Sequence, residues 1–215
     1  MGFPNISKDS AEYGFGGRFK FNEGDTKIRV LASASEPLAT HFTADNKAYV
    51  CIGIKNGCPF HGKGAILDKE GKEKKPSLKY PMYILLRDRG ELTYAEVAYS
   101  IVRALTDLKV SPDWEFDEPP MPYDVTIRYT PKGTPQEMYK VLPSPVKNEI
   151  PESIMSELKT KTDLDDVVKN AKMKQHDKLE SLGMLKPLNG EQIKMEEAAI
   201  EEVDPDDIPL DELPF

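Results

Sequence analysis

Between residues 18 and 142 the chain is written in short blocks rich in β-branched and aromatic residues, at 26–31, 38–43, 48–54, 80–87, 91–97, 123–130 and 137–142. Blocks of this length, separated by Gly, Pro, Asn and Asp, predict strands. Lys27-Ile28-Arg29-Val30 and Thr126-Ile127-Arg128-Tyr129 alternate polar with apolar, which predicts strands with one solvated face. Asp88-Arg89-Gly90 falls between two blocks and supplies the turn residues of a hairpin. One helix interrupts the series: Val97, Ile101, Leu105 and Leu108 share a helical face, and Val110-Ser111-Pro112 closes it. Short strands with one inserted helix predict a mainly β fold. A small Greek-key barrel of the OB type fits it, and a β-sandwich would read much the same.

The character of the chain changes after Leu142-Pro143-Ser144-Pro145. Residues 146–185 are helix-prone, with Leu164, Val167, Val168 and Ala171 on one face and Thr162-Asp163-Leu164-Asp165 resembling a capping box. From residue 186 there is little to bury, which predicts a disordered linker grading into an acidic tail. The expected organisation is therefore a flexible lead-in over 1–17, a β-barrel core over 18–145, a helical segment over 146–185 and a tail over 186–215.

Charge sharpens this division. The net charge of −8 looks adverse for a nucleic-acid binder, but residues 196–215 hold nine acidic residues and no basic one. Of 37 acids that leaves 28, against 29 Lys plus Arg, so the rest of the 215-residue chain is close to neutral. A deficit confined to one end predicts a functional tail. No apolar run is long enough to span a bilayer, and Met1-Gly2-Phe3-Pro4-Asn5-Ile6-Ser7 has no signal-peptide pattern. A cytoplasmic protein is expected, with no membrane partner and no small-molecule substrate.

The chain contains two cysteines and three histidines, and four of these five fall in 21 residues: His41, Cys51, Cys58 and His61. Cys58-Pro59-Phe60-His61-Gly62 reads as a knuckle, two ligands separated by two residues with a glycine that lets the backbone turn beneath a metal. Two thiolates and two neutral imidazoles satisfy tetrahedral Zn²⁺ with no net charge. The expectation is a structural zinc subdomain over about 38–66. Core thiols beside an unrelated surface histidine are the alternative, and a disulfide is disfavoured in a reducing compartment. With all four positions filled, no coordination site is left for water. The chain also has no Ser-His-Asp set, phosphate loop or deaminase signature, so no enzymatic activity is expected.

Six lysines (63, 69, 72, 74, 75 and 79) precede Tyr80-Pro81-Met82-Tyr83. Cations beside rings are what a single-strand groove needs, although a lysine-rich loop is more often simply solvated. Gly14-Phe15-Gly16-Gly17-Arg18 matches neither a phosphate loop nor a dinucleotide fingerprint.

The order His41, Cys51, Cys58, His61, followed by the lysine-rich loop, Lys79-Tyr80-Pro81-Met82-Tyr83-Ile84-Leu85-Leu86-Arg87-Asp88 and Tyr99-Ser100-Ile101-Val102-Arg103-Ala104-Leu105, resembles the core of the helix-destabilising single-stranded DNA-binding proteins of T-even phages. The resemblance covers roughly residues 18–145. It implies an OB-fold with a zinc subdomain, ligands at His41, Cys51, Cys58 and His61, and a DNA cleft that includes Lys79, Tyr80, Tyr83, Arg87, Tyr94 and Tyr99. Two features depart from the family: the fourth ligand is His instead of Cys, and residues 1–17 hold no counterpart of its basic N-terminal arm. The last residues are similar to the acidic tip of bacterial single-stranded DNA-binding proteins, which implies partner docking through Asp206, Asp207, Ile208, Pro209, Leu213, Pro214 and Phe215. Together these imply a phage-type DNA replication, recombination and repair accessory in a bacterial host cytoplasm. It would coat single-stranded DNA and recruit replication and recombination proteins. An RNA-binding regulator on the same barrel and a zinc-stabilised protein scaffold are the alternatives.

Overall fold

The structure, a computed structural model, describes residues 19–43, 47–67, 71–132 and 138–186. The lead-in over 1–17 and the tail candidates Asp206, Asp207, Ile208, Pro209, Leu213, Pro214 and Phe215 lie outside the described residues. The chain is largely antiparallel β: β1 (Gly24–Ser33), β2 (Leu38–Phe42), β3 (Ala48–Val50), β4 (Ser77–Leu86), β5 (Glu91–Ala98), β6 (Val125–Tyr129) and β7 (Tyr139–Pro143). Three α-helices accompany them among the described residues: α1 (Tyr99–Lys109), α2 (Glu152–Leu158) and α3 (Leu164–Ser181). None of these helices is long and apolar enough to cross a membrane. The chain divides into two compact units, one comprising the residues up to Pro37 with Lys79–Asp166, the other Leu38–Leu78 with the chain from Val167.

In the first unit β4 pairs with β5 and β1, β1 with β6, and β6 with β7, all antiparallel, giving the order β5-β4-β1-β6-β7. Ile28, Val30, Met82, Ile84, Leu86, Ala95, Val97, Val125 and Ile127 enter one core, to which Ile101 and Leu105 of α1 add. Val97 belongs to β5, not to the helix, which begins at Tyr99. The predicted turn at 88–90 joins Leu86 to Glu91, and Gly90 takes φ +64° as its amide donates to Leu86 O at 2.8 Å. An L-residue with a side chain rarely adopts that φ, which is why glycine closes the turn.

Arg29 departs from the expected solvated face. It is 2 % exposed and lies against Asp124, which is 0 % exposed. Arg29 Nε donates to Asp124 Oδ1 at 2.7 Å, and its two terminal nitrogens donate to Met121 O at 3.0 Å and Asn148 O at 2.8 Å. Asp124 also accepts from Arg87 Nε at 2.9 Å and Asn148 Nδ2 at 2.9 Å. The alternation rule fails here because a buried charge is tolerated when it is paired and each of its nitrogens finds an acceptor. The network draws the extended segment before α2 onto β1 and the end of β4, since Arg87 also donates to Glu149 O at 3.0 Å.

The second unit is larger than the 38–66 subdomain that the sequence predicts, and includes most of α3. A hairpin of β2 and β3 cannot bury a core unaided. Leu179 of α3, fully buried, packs with Cys51, Ile52, Cys58 and Phe60, and Gln175 accepts from Val50 N at 3.3 Å. The helix start also differs in detail from a capping box. Asp163 Oδ1 accepts from Asp165 N at 2.8 Å as the cap, while Asp165 accepts from the amide and hydroxyl of Ser35 instead of reaching back.

Burial alone would raise the Asp124 carboxyl, but the hydrogen bonds from Asn148, Arg87 and Arg29 outweigh it and hold the group below the ordinary carboxylate range. A carboxyl depressed on folding contributes stability above its unfolded value, about 3.9, and the contribution is lost as pH falls through the lower folded value. Asp124→Asn is therefore expected to cost about 3–5 kcal/mol near neutral pH, since it breaks a buried pair and leaves the other charge. Urea unfolding at pH 7 and at pH 3 checks this; the deficit should shrink at the lower pH, and an equal deficit at both contradicts it.

Candidate metal centre

His41, Cys51, Cys58 and His61 converge: one ligand atom from each lies within 4.8 Å of the other three. Four local features put them there. His41 sits on β2 opposite Tyr49 of β3 and is 1 % exposed. Cys51 directly follows β3, and its amide donates to Ala39 O at 2.8 Å, which extends the hairpin by one bond. The chain then turns through Ile54–Asn56 and leaves by Gly57 at φ +73°, so that Cys58 comes back beneath Cys51 with its amide on Gly53 O at 3.2 Å. Gly62, at φ +56°, reverses the backbone after His61.

Within the cluster Cys51 Sγ lies 3.2 Å from His61 Nε2, and Cys58 Sγ lies 3.7 Å from His41 Nε2. The two imidazoles meet edge to face with centroids 4.7 Å apart. Both cysteines are free and buried. The Cys58 thiol is pushed down, first by its hydrogen bond with Cys51 and further by His41 and His61, against the cost of burial. The Cys51 thiol is pushed up, by that same hydrogen bond and by burial. One thiolate is thus already favoured, and a bound cation would favour the second. His41 Nδ1 is buried without a hydrogen-bond partner among the described residues. A buried set of two thiols and two imidazoles is a donor set for a metal ion.

Residues that the sequence reading does not single out support the site. Glu73 places Oε1 3.2 Å from His61 Nδ1, and its Oε2 accepts from Gly62 N at 3.3 Å. The His61 imidazole is pushed up, first by its hydrogen bond with Cys58 and then by Glu73, against burial. Lys186 donates from its amide to Gly57 O at 3.0 Å and from its ammonium to His61 O. Nothing in the spacing of Glu73 or Lys186 announces these contacts; each is a charged residue in a polar stretch. Cys51, His61 and Glu73 also follow the order of a thiol nucleophile, its base and an orienting carboxylate. Burial of Cys51, the upward push on its thiol and the second Cys–His pair beside it favour a metal centre over that arrangement.

The six residues implied as a DNA cleft fall into two groups, all in the first unit. Tyr83 and Tyr94 are opposite each other on β4 and β5, 3 % and 7 % exposed, with centroids 6.2 Å apart. Tyr83 Oη donates to Thr162 O at 3.0 Å, and α2 lies against β5. Arg87 is engaged by Asp124 and by Glu149 O. These three are committed to packing. Lys79, Tyr80 and Tyr99 are half-buried, with the two rings 6.3 Å apart, so they retain surface that a ligand could meet. Burial pushes the Lys79 ammonium down, partly opposed by Glu96.

No family model, curated protein or solved structure matches this chain.

A Cβ placed on Gly57 would lie 2.6 Å from Lys186 O, in a backbone conformation that already disfavours side chains. Gly57→Ala is expected to destabilise by at least the roughly 1–2 kcal/mol of left-handed backbone strain. Thermal melting together with the rate of Cys58 modification by a thiol reagent checks it, and an unchanged melt with unchanged reactivity argues against this account of the turn.

Proposed function

We propose that this chain binds single-stranded DNA on an OB-type barrel, carries a small unit clipped by one structural zinc ion, and recruits partner proteins through its acidic C-terminal tail. The observation that carries the reading is the connectivity of the first unit. Strands β1, β4 and β5 form a meander, α1 follows, and the β6–β7 hairpin returns to pair with β1. This connectivity supports a five-stranded, partly open Greek-key barrel, a common nucleic-acid-binding architecture. The metal-ligand segment is inserted in the chain between β1 and β4, where the resemblance to the phage proteins puts its zinc subdomain.

The cluster's dimensions favour zinc. With Zn–S near 2.3 Å and Zn–N near 2.0 Å, a tetrahedral S–N edge is about 3.5 Å, between the 3.2 and 3.7 Å found for the two Cys–His pairs. Two thiolates balance the dication, and four protein ligands fill its coordination, so the ion would serve folding and not catalysis. For the nucleic acid, Tyr80 and Tyr99 supply stacking surface and Lys79 a phosphate contact. The tail, with nine acids and a terminal Pro-Phe, has the chemistry of a docking peptide for a small apolar pocket ringed by cations.

Protein purified without added metal is expected to contain about one zinc per chain; a value near zero with both thiols reactive overturns the zinc reading. In titrations with labelled oligo-dT, oligo-U and duplex DNA at two salt concentrations, oligo-dT should bind most tightly and lose affinity with salt. Tyr80→Ala should cost roughly 1–3 kcal/mol if the ring stacks on a base. Preference for oligo-U would favour an RNA-binding regulator, and binding of none of the three a protein scaffold.

A further inference from the structure

The lysine-rich loop and the metal centre are read from the sequence as separate features, yet one carboxylate joins them. Leu67 and Glu73 form an antiparallel bridge, and Lys74 N donates to Ile66 O at 2.7 Å. Glu73, in the returning arm, turns back to the centre. One carboxylate oxygen meets His61 Nδ1 at 3.2 Å and the other accepts from Gly62 N at 3.3 Å. His61 Nε2 meanwhile faces Cys51 Sγ. The ring nitrogen turned to the cluster and the nitrogen turned to the carboxylate are therefore opposite ends of one imidazole.

We propose that Glu73 is the outer partner of the metal centre, a positioning residue that fixes the tautomer and plane of His61, and that through it metal occupancy orders the basic arm carrying Lys72, Lys74 and Lys75. The inference rests on the reading of this cluster as a metal site. A metal on Nε2 leaves the proton on Nδ1, where it can only be donated; the Glu73 carboxylate is the acceptor in reach. Carboxylates in this role orient ligating imidazoles and raise their basicity, and their loss typically lowers metal affinity 10–100-fold. Because Glu73 also grips Gly62 N, the two bonds hold the chain on both sides of the His61 carbonyl, which itself accepts from Lys186. The coupling is reciprocal: if metal binding strengthens the Glu73 contact, anything that holds the arm in place strengthens metal binding by the same factor.

The test uses the full chain in three forms, wild type, Glu73→Ala and Glu73→Gln. Zn²⁺ affinity is measured by competition with a chromophoric chelator, Co²⁺ binding by its visible ligand-field spectrum, and arm order by amide hydrogen exchange over 66–75. Glu73→Ala should bind Zn²⁺ about 10–100-fold more weakly, shift the Co²⁺ bands and lose the metal-dependent protection of the Lys74 amide. Glu73→Gln keeps an acceptor without the charge and should fall between the two. Wild-type affinity, spectrum and protection in Glu73→Ala overturn the inference while leaving the metal site standing. A wild-type chain that takes up neither Zn²⁺ nor Co²⁺ overturns both.

Discussion

A carboxylate with no solvent exposure, Asp124, sits between two guanidiniums and an amide at the centre of the first unit. Ionised, it cannot remain there without those donors, and Arg29, almost as deeply buried, cannot remain without it. The geometry around the pair therefore has few solutions. It requires β1 to lie so that Arg29 faces the residues just before β6, and it requires the segment at Asn148 to pass overhead with two carbonyls turned inward. A one-residue slip would turn Arg29 to the other face of β1 and leave both charges unpaired, so the register of β1 and the path of the chain towards α2 are tied to satisfying one acid.

In the second unit the candidate metal centre brings four residues together by different chemistry. His41, Cys51 and Cys58 are buried there beside Ile52, Phe60, Val168 and Leu179, so sulfur and imidazole take up part of the volume that aliphatic side chains fill in the first unit. Small units with little apolar area need such a staple. Glu73 and Lys186 then bring the charged flanks of the chain onto it.

Much of this was legible from residue types alone, for identifiable reasons. Blocks of β-branched and aromatic residues at 26–31, 80–87 and 91–97 mark β1, β4 and β5 because these strands pack a core of Ile, Val and Met. The four cluster residues stand out because cysteine and histidine are scarce in this chain. Arg29 was misread because alternation treats any polar residue as solvated, and its partner Asp124 is 95 positions away. The sequence could not separate Tyr83 and Tyr94, which pack, from Tyr80 and Tyr99, which keep exposed surface, because a tyrosine suits a core and a stacking platform equally well. Glu73 was invisible because a glutamate among lysines has the composition of a solvated loop.

The second unit is discontinuous in the chain: its four cluster residues lie within Leu38–Leu78, while the helix that supplies Leu179 begins its share at Val167. On the ribosome the last of the four cluster residues emerges roughly a hundred residues ahead of the helix that backs them, an interval of about 5–20 s at ordinary elongation rates. Through that interval the thiols have no apolar cover from α3, and an ion captured early would shield them from oxidation and hold the β2–β3 hairpin until Leu179 arrives. If the cluster takes up a metal as proposed, the order of synthesis makes metal supply during translation, and not only in the finished protein, bear on how much of the chain reaches this fold.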